Sequence, residues 1–352
     1  MNTFGYAAAA IGADLEPMPF ARRALRPEDV AIEILYCGVC HSDVHQVRND
    51  WHNSKYPMVP GHEIIGRVTA VGTAASKFKV GDAVGVGCLV DSCLTCDQCK
   101  KGEEQLCRAR ATQTYNDTDR QTGEPTFGGY SKAIVVREEF VLKVSEEVDL
   151  KRVAPLLCAG ITTYSPLKRW NAGPGTRLGV VGLGGLGHMA VKLGVALGCD
   201  VTVITTSVSK STDARVLGAH HVLISKDEEA MQSASSSMDL IIDTVPVAHD
   251  LAPYIQLLDV DGSLVIVGAI DMLPSFHSGL LLTARKRVSG SPIGGVAETQ
   301  ELLDLCAEKG IYADCETIAM QDIGAAYARM DKSDVKYRFV IDMATLAKDA
   351  VA

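Results

Sequence analysis

The sequence has fewer basic than acidic residues, with 34 lysines and arginines against 43 aspartates and glutamates, and its formal net charge is −9. A general nucleic-acid-binding protein presents a basic face, so this class is excluded. No apolar run approaches the roughly 20 residues that cross a bilayer. The first residues, Met1–Ala13, also lack the basic start and sustained apolar core of a signal peptide. We therefore expect a soluble, cytoplasmic protein without a nucleic-acid or membrane partner.

The sequence also lacks internal repeats and low-complexity linkers, and its 352 residues are comfortable for two domains. Up to about residue 150, short strand patterns such as Val30–Tyr36 and Ile64–Gly72 alternate with glycine turns, which indicates a β-rich, barrel-like domain. From about 155 to 290, strand and helix patterns alternate, as in a doubly wound parallel sheet. The patterns after 291 either extend this sheet or rejoin the first domain.

A glycine turn marks a dinucleotide site in the second domain. A strand pattern ends at Val181, Gly182-x-Gly184-x-x-Gly187 follows, and an apolar helix pattern leaves the turn. This order lets the backbone approach a pyrophosphate at the positive end of the helix. Glycine turns between strands and helices are common, so the spacing alone is weak and the flanking pattern strengthens it. The predicted cofactor contacts are Gly182, Gly184, Gly185, Leu186, Gly187, Thr205, Thr206, Ser207, Lys210, Val267, Gly268 and Ile293.

Cysteine is abundant, with eleven residues, and an odd number in a large chain is a poor disulfide framework. Spacing therefore decides their role. Cys93, Cys96 and Cys99 recur every three residues, and Cys107 follows after a short excursion. Four thiolates in such a loop can enclose a tetrahedral zinc without an open position, and buried structural cysteines would not need this spacing. We predict a structural zinc site.

A second set of zinc ligands is dispersed along the chain: Cys40, His62 and Cys158. Two thiolates and a neutral imidazole cancel the charge of the ion and leave one position open, which is a catalytic arrangement. Taken singly, each residue also fits a plain structural role, with the cysteines as small core residues and His62 as a satisfied loop histidine.

Five segments together resemble the zinc-dependent medium-chain alcohol dehydrogenases, and within them the cinnamyl alcohol dehydrogenases and NADPH-dependent aldehyde reductases. The resemblance covers nearly the whole chain, and its motifs are highly specific in combination. The segments, besides the four-cysteine loop, are Gly38–Asp43, Tyr56–Glu63, Ala154–Gly160, Gly182–His188 and Lys336–Asp342.

The resemblance implies a GroES-like catalytic domain of residues 1–155 and 292–352, with a Rossmann NADP(H)-binding domain of residues 156–291 inserted. It also implies that Cys40, His62 and Cys158 bind the catalytic zinc, with Glu63 beside it. Asp43 would orient His62, as metal-bound histidines usually require. A homodimer formed through the nucleotide-binding domains is the implied assembly.

In the reaction that the resemblance implies, a reduced nicotinamide gives hydride to an aldehyde carbon, and zinc as a Lewis acid stabilises the charge on the oxygen. Ser42 would hydrogen-bond that oxygen, and His45 would end a proton relay through the nicotinamide ribose. Without the resemblance, Ser42 reads as a turn residue and His45 as a surface side chain.

An acidic residue is missing where an NAD site carries one, at the end of the second strand of the nucleotide domain. Thr205, Thr206, Ser207 and Lys210 stand there instead, and they suit the 2′-phosphate of NADPH. Ser207 and Ser209 can equally act as helix N-caps. Family members carry a second lysine where Ser209 stands, so the expected phosphate affinity is somewhat weaker.

Two aromatic residues of the phenylpropanoid-specific relatives are replaced in the expected substrate pocket, by Gln113 and Pro292. Asp50 and Trp51 are further candidates for its wall, although Trp51 also reads as a half-buried packing residue. These replacements favour a broad-specificity aldehyde reductase over a dedicated cinnamyl alcohol dehydrogenase. The other cysteines are expected to pack as small apolar groups: Cys37, Cys88, Cys199, Cys306 and Cys315.

Three functions thus remain at the level of sequence. The first is a zinc- and NADP(H)-dependent enzyme that interconverts aldehydes and primary alcohols, with two zinc ions per subunit. The second, an NAD-dependent polyol dehydrogenase, conflicts with the missing acid near Thr205. The third, a non-catalytic zinc- and nucleotide-binding redox sensor, conflicts with the presence of Ser42 and His45 beside a complete ligand set.

Overall fold

The computed structural model describes residues 1–268 and 272–348. The chain divides into two compact units, Met1–Cys158 with Gly294–Ala352, and Ala159–Ile293. The boundaries expected from the sequence, at 155/156 and 291/292, lie a few residues away, and residues 349–352 of the expected catalytic domain are outside the described residues. No helix in the described ranges is long and apolar enough to cross a membrane.

Strands occur in both units. Numbered along the chain, those in the described residues are β1 (Asn2–Ala8), β2 (Leu15–Ala21), β3 (Asp29–Val39), β4 (Ile64–Val71), β5 (Ala83–Val86), β6 (Leu89–Asp91), β7 (Thr112–Gln113), β8 (Ala133–Arg137), β9 (Leu142–Lys143), β10 (Arg177–Val181), β11 (Asp200–Thr205), β12 (His221–Ile224), β13 (Met238–Asp243), β14 (Leu258–Ile266), β15 (Arg287–Gly290), β16 (Cys315–Ala319) and β17 (Arg338–Asp342).

Most helices are short, and the longest are Ala159–Arg169, Gly187–Ala196 and Val296–Lys309. The α-helices are α1 (His41–Arg48), α2 (Leu150–Val153), α3 (Ala159–Arg169), α4 (Gly187–Ala196), α5 (Lys210–Val216), α6 (Glu228–Ser233), α7 (Ala252–Leu257), α8 (Gly279–Leu282), α9 (Val296–Lys309) and α10 (Ile323–Asp331). Single 3₁₀ turns cover Cys99–Lys101, Glu104–Leu106, Glu138–Phe140, Ala154–Leu157, Met320–Asp322 and Met343–Lys348.

The first unit is built on a sheet with the order β16-β17-β3-β4-β5-β9, and β8 also pairs with β3. β3 is central because its apolar residues, among them Val30, Ile32 and Ile34, are buried. β17 pairs antiparallel with β3 and parallel with β16. The segment after residue 291 therefore supplies strands to the first unit, which resolves the alternative that the sequence left open.

The second unit is a six-stranded parallel sheet with the order β12-β11-β10-β13-β14-β15. The strand order reverses at β10, because β11 and β12 lie on one side of it and β13 to β15 on the other. In such sheets ligands bind at the carboxyl ends of the strands beside this reversal. The glycine turn follows β10 directly, so the sequence motif lies at the position where the topology creates a binding site.

Candidate active site and metal centres

Four cysteines meet in the loop between β6 and β7. The ligand atoms of Cys93, Cys96, Cys99 and Cys107 all lie within 4.8 Å of one another. Cys99 Sγ is 3.8 Å from Cys93 Sγ and 3.5 Å from Cys96 Sγ. Two thiolates at about 2.3 Å from a tetrahedral zinc are about 3.8 Å apart. The loop thus has the size and donor set of a closed zinc site.

Backbone N–H groups point at these sulfurs. Cys96 N lies 3.4 Å from Cys93 Sγ, and Arg108 N lies 3.4 Å from Cys96 Sγ. N–H groups of Thr95 and Cys96 lower the pKa of Cys93 to about 5, whereas burial raises the pKa of Cys99 to about 12. Donors of this kind stabilise thiolates, the form of cysteine that binds metal.

A second cluster of metal-binding side chains lies in the same unit. The donor atoms of Cys40, His62, Glu63 and Cys158 are within 4.8 Å of one another, and all four residues are buried. Cys40 Sγ is 3.9 Å from Cys158 Sγ. Hydrogen bonding with Cys158 lowers the pKa of Cys40 well below its usual range. Two thiols, an imidazole and a carboxylate at this spacing fit a zinc ion, with the carboxylate or a substrate in the fourth position.

Asp43 fixes the orientation of this cluster. It is the third residue of α1, and its carboxylate accepts hydrogen bonds from His62 Nδ1 at 3.1 Å and from the Cys40 N–H at 2.9 Å. A carboxylate only accepts, so Nδ1 of His62 carries the proton and Nε2 keeps its lone pair. The imidazole is thereby held in the tautomer that binds a metal through Nε2.

Glu63 and Arg338 form a fully buried ion pair. Glu63 Oε1 accepts from the guanidinium, while Glu63 Oε2 is buried and hydrogen-bonds no other group in the described residues. Burial raises the pKa of Glu63 to about 7, although the charge of Arg338 opposes the shift. Gly38 makes this placement possible, since a Cβ there would lie 1.8 Å from Glu63 Oε2.

α1 and the turn after it carry a short polar chain. Ser42 Oγ lies 3.5 Å from Cys40 Sγ. His45 Nδ1 is 2.8 Å from Asp50 Oδ2, and the His45 ring lies against Trp51 with centroids 5.3 Å apart. His45 Nε2 is buried and without a hydrogen-bond partner in residues 1–268 and 272–348. This nitrogen is therefore an unsatisfied polar atom in the described residues.

In the second unit, the three motif glycines occupy different environments. Gly182 has a left-handed φ of +88°, which allows the tight turn after β10. A Cβ on Gly187 would lie 2.1 Å from the Gly182 carbonyl oxygen, so only glycine lets α4 pack this closely. Gly184 has nothing within 4 Å of its Cβ position, which leaves space for a ligand against the backbone. The turn has room for a pyrophosphate at the start of α4.

The end of β11 carries hydroxyl groups and a lysine. Thr205 Oγ1 accepts from the Ser207 N–H at 3.3 Å, and Ser207 Oγ is 2.6 Å from Ser209 Oγ. Ser209 is the N-cap residue of α5 but makes no side-chain capping bond. Lys210 Nζ donates to the Leu183 carbonyl, at 3.1 Å, so its ammonium lies beside the glycine turn.

The remaining predicted contacts are spread over both units. Val267 and Gly268 donate their N–H groups to the Asp243 carbonyl at the end of β13. Gln113 is exposed at the end of β7, whereas exposed Pro292 and half-buried Ile293 belong to the second unit. The structure thus brings Asp50 and Trp51 to His45, and it does not place Gln113 and Pro292 in one unit.

Three functional features escaped the sequence analysis. Arg338 was within a recognised segment, and a charged residue beside the apolar run Phe339–Ile341 was a usable signal. Asp50 meets His45 because Asn49 ends α1 in a left-handed conformation (φ 60°) and turns the chain back, which no periodicity indicates. Cys88, expected as a packing residue, is half-buried, and its thiol donates at 3.8 Å to the carbonyl of Leu157, the residue before Cys158.

Comparison with known proteins identifies the class. Residues 26–146 match the family described as "Alcohol dehydrogenase GroES-like domain", and residues 185–308 match "Zinc-binding dehydrogenase". Together these ranges cover most of the chain. The chain therefore belongs to the zinc-binding alcohol dehydrogenase family, and the family and fold class predicted from the sequence are confirmed.

Individual relatives are similar over almost their whole lengths. NADP-dependent alcohol dehydrogenase C 1 of Mycolicibacterium smegmatis is 50% identical over 97% of this chain and 98% of its own. Aldehyde reductase YahK of Escherichia coli is 51% identical over 94% of this chain and 95% of its own. As a member of this family, the protein is an oxidoreductase.

Solved structures give the same result for the fold. A cinnamyl alcohol dehydrogenase of Sorghum bicolor matches with a TM-score of 0.95 and 45% identity, over 98% of both chains. The CAD from Helicobacter pylori, complexed with NADP(H), matches with a TM-score of 0.92 and 42% identity, over 98% of this chain and 99% of the other.

Proposed function

We propose that the protein interconverts aldehydes and primary alcohols by hydride transfer with NADP(H), using a zinc ion held by Cys40, His62 and Cys158. The observation that carries this proposal is the buried convergence of those donor atoms with Glu63, all within 4.8 Å. The names of the relatives, an NADP-dependent alcohol dehydrogenase and an aldehyde reductase, support the same reaction. Residues 156–291 form the proposed nucleotide-binding domain, and 1–155 with 292–352 the proposed catalytic domain.

Zinc would supply a Lewis acid for the substrate oxygen, and NADP(H) would supply or accept the hydride. The side chains of this unit do the rest. Asp43 holds His62 and the Cys40 backbone in place, and Arg338 holds one oxygen of Glu63. The second Glu63 oxygen remains free to approach the metal-binding atoms. Cys93, Cys96, Cys99 and Cys107 would hold a second, structural zinc, which makes two ions per subunit.

The proton that the substrate oxygen gains has a route along α1. Ser42, two residues after Cys40, is placed to donate its hydroxyl proton to that oxygen. His45, whose Nε2 is buried and unpaired among the described residues, would return a proton to Ser42 and then regain one from solvent. Asp50 accepts from Nδ1 and so orients the ring. Asp50 thereby has a role in the relay rather than only in the pocket wall.

NADP(H) is favoured over NAD(H) at the end of β11. Thr205, Thr206 and Ser207 offer hydroxyl and N–H groups there, and Lys210 offers a charge, whereas an NAD site needs a carboxylate for the ribose 2′-hydroxyl. A phosphate prefers charge-assisted donors of this kind. This feature disfavours the NAD-dependent polyol dehydrogenase.

A broad range of aldehydes suits the proposed pocket better than cinnamyl aldehydes alone. The sequence has Gln113 and Pro292 where the phenylpropanoid-specific relatives carry aromatic residues, and the Trp51 ring lies against His45. Cinnamyl alcohol dehydrogenase activity remains the alternative, supported by the similarity to the Sorghum bicolor enzyme.

The assembly that we propose is a homodimer joined through the second unit. β15 pairs only with β14 among the described strands, so its outer edge can hydrogen-bond the same strand of a second copy.

All eleven cysteines are free thiols. Free thiols fit a reducing compartment, which supports a cytoplasmic location.

The test uses wild type and the variant Cys158→Ser, with Cys315→Ser as the matched control because that half-buried thiol belongs to neither metal cluster. NADPH oxidation is followed over a panel of aliphatic and aromatic aldehydes, and zinc is counted by elemental analysis. We expect wild type and the control to hold two zincs and to reduce several aldehydes. Cys158→Ser should hold one zinc and lose at least about 100-fold in kcat/KM.

Equal zinc content in wild type and Cys158→Ser would overturn the catalytic metal set. Reduction of cinnamyl aldehydes alone would replace the broad specificity with the alternative. Faster turnover with NADH than with NADPH would contradict the cofactor assignment.

A further inference from the structure

The carboxylate of Asp43 is fully buried, and in the described part of the chain four donors lie within 3.2 Å of its oxygens. Two of them, His62 Nδ1 and the Gly61 N–H, bond Oδ1 at 3.1 Å each. The other two bond Oδ2: the Cys40 N–H at 2.9 Å and the Tyr130 hydroxyl at 3.2 Å. One carboxylate thus fixes two of the proposed zinc ligands, and Tyr130 supplies its only hydroxyl donor among these four.

Tyr130 is tied to the loop that carries His62. The Tyr130 N–H donates to the Pro60 carbonyl at 3.0 Å, and the N–H of Gly129 donates to the Gly61 carbonyl at 2.8 Å. The contact is so close that a Cβ on Gly61 would lie 2.7 Å from the Tyr130 ring. The ring therefore has no space to turn away while this backbone ladder is intact.

The hydroxyl of Tyr130 stays protonated where it is. Tyr130 is fully buried, and burial together with the charge of Asp43 raises the pKa of its phenol well above the usual range. A protonated phenol beside a carboxylate donates its hydrogen bond to that carboxylate. An apolar ring would fill the same volume, so packing alone does not require the oxygen atom.

We propose that Tyr130 is a positioning residue for the catalytic zinc set, which it orients through Asp43. The proposal rests on the assignment of Cys40, His62 and Cys158 as ligands in the proposed function. By occupying Oδ2, the Tyr130 hydroxyl holds the carboxylate in the rotation in which Oδ1 faces His62 Nδ1. The His62 ring is then fixed with Nε2 toward the two thiols, and release of the metal is slowed.

Tyr130→Phe removes one oxygen atom and keeps the ring that fills the site. Partners that orient a metal-bound histidine typically change metal affinity by about 10-fold to 100-fold. Tyr130 reaches His62 only through Asp43, one hydrogen bond further from the metal. We therefore expect zinc release from Cys40, His62 and Cys158 to become about tenfold faster. The matched control is Tyr254→Phe, which removes a phenol oxygen from a half-buried tyrosine in the other unit.

Zinc release from the purified, zinc-loaded protein is followed with a colour-forming chelator. Two kinetic phases of zinc release are expected, one for each metal cluster. The phase that is missing in Cys158→Ser is the release from Cys40, His62 and Cys158. In Tyr130→Phe this phase should accelerate while the phase of the four-cysteine loop and the melting temperature stay as in wild type. A Co²⁺-substituted sample should show a shift of its visible absorption bands, which a purely structural change elsewhere would not cause.

A double-mutant comparison separates Tyr130 from general effects. Asp43→Asn removes the charged acceptor, so adding Tyr130→Phe to it should not accelerate release further. If zinc leaves Cys40, His62 and Cys158 at the wild-type rate in Tyr130→Phe, the positioning role is overturned and the assignment of the ligands is unaffected. Equal acceleration of both phases with a lower melting temperature would overturn it as well. If Cys158→Ser lacks no phase, the proposed function itself fails.

Discussion

At the scale of single residues, Lys210 is the residue that we propose selects NADPH over NADH. Its ammonium donates to the Leu183 carbonyl in the turn, and Ser207 and Ser209 lie just before it in the chain. A 2′-phosphate bound at these hydroxyls would gain a second, charged donor from Lys210. The ribose 2′-hydroxyl of NADH offers nothing comparable, so the lysine should distinguish the two cofactors.

Lys210→Ala should raise the KM for NADPH by roughly 10-fold to 100-fold, because a hydrogen bond to a charged group is worth about 1.5–3 kcal/mol. The KM for NADH should change little. Steady-state kinetics with both cofactors measure the effect, and Lys226→Ala, an exposed lysine outside the turn, is the control. An equal rise for both cofactors would remove Lys210 from phosphate recognition.

Single residues differ in how far the sequence reveals them. Cys40, His62 and Cys158 could be proposed because thiols and imidazoles are the usual zinc ligands and their family segments are specific. Asp50 could not be assigned to His45, since that contact depends on the left-handed turn at Asn49 that follows α1. Tyr130 was equally hidden, because its partner Asp43 is 87 residues away and a buried tyrosine in a strand-rich domain is ordinary.

At the scale of elements, the loop between β6 and β7 is where the proposed structural zinc would matter most for the fold. It contains 3₁₀ turns at Cys99–Lys101 and Glu104–Leu106 but no longer element in this part of the described chain. Leu106 within it is 42% exposed, so this apolar side chain adds little to its packing. The proposal is that a metal ion held by the four sulfurs stabilises the loop.

Cys96→Ser should lose one zinc per chain and lower the free energy of unfolding by about 4 kcal/mol, a size typical of a lost metal site. Elemental analysis and chemical denaturation measure the two effects. Cys315→Ser should keep both zincs. Full zinc content in Cys96→Ser would show that the loop does not bind metal.

Elements were predicted well where their residue pattern is local. The strand pattern that ends at Val181, before the glycine turn, is β10, and one of the patterns after residue 291 is the helix α9. The partners of the strands in that last segment could not be predicted. β17 inserts between β16 and β3, and that choice depends on the packing of distant apolar faces rather than on its own sequence.

At the scale of the whole molecule, the second unit has two sheet edges, β12 and β15. Unpaired strand edges invite pairing with another chain. Several exposed apolar residues of this unit follow β13 in the chain, among them Val260, Met272 and Leu282. A second copy that pairs along β15 would satisfy the edge of both sheets at once.

Ser289→Lys places a charge on this edge and should convert the protein from a dimer of about twice 37.5 kDa into single chains of 37.5 kDa. Sedimentation velocity measures the change. Ser233→Lys, at the exposed end of α6, is the control. If wild type already sediments as a single chain, the dimer proposal is wrong.

The place of β17 has a consequence during protein synthesis. This strand is an interior member of its sheet, between β16 and β3, and its Arg338 pairs with Glu63. A ribosome makes residues 159–293 well before it makes Arg338–Asp342. All strands of the parallel sheet are thus synthesised while the other sheet still lacks β17, the strand between β3 and the edge strand β16. The Glu63 carboxylate cannot pair with the Arg338 guanidinium until translation is almost finished. We therefore expect this part of the protein to fold last.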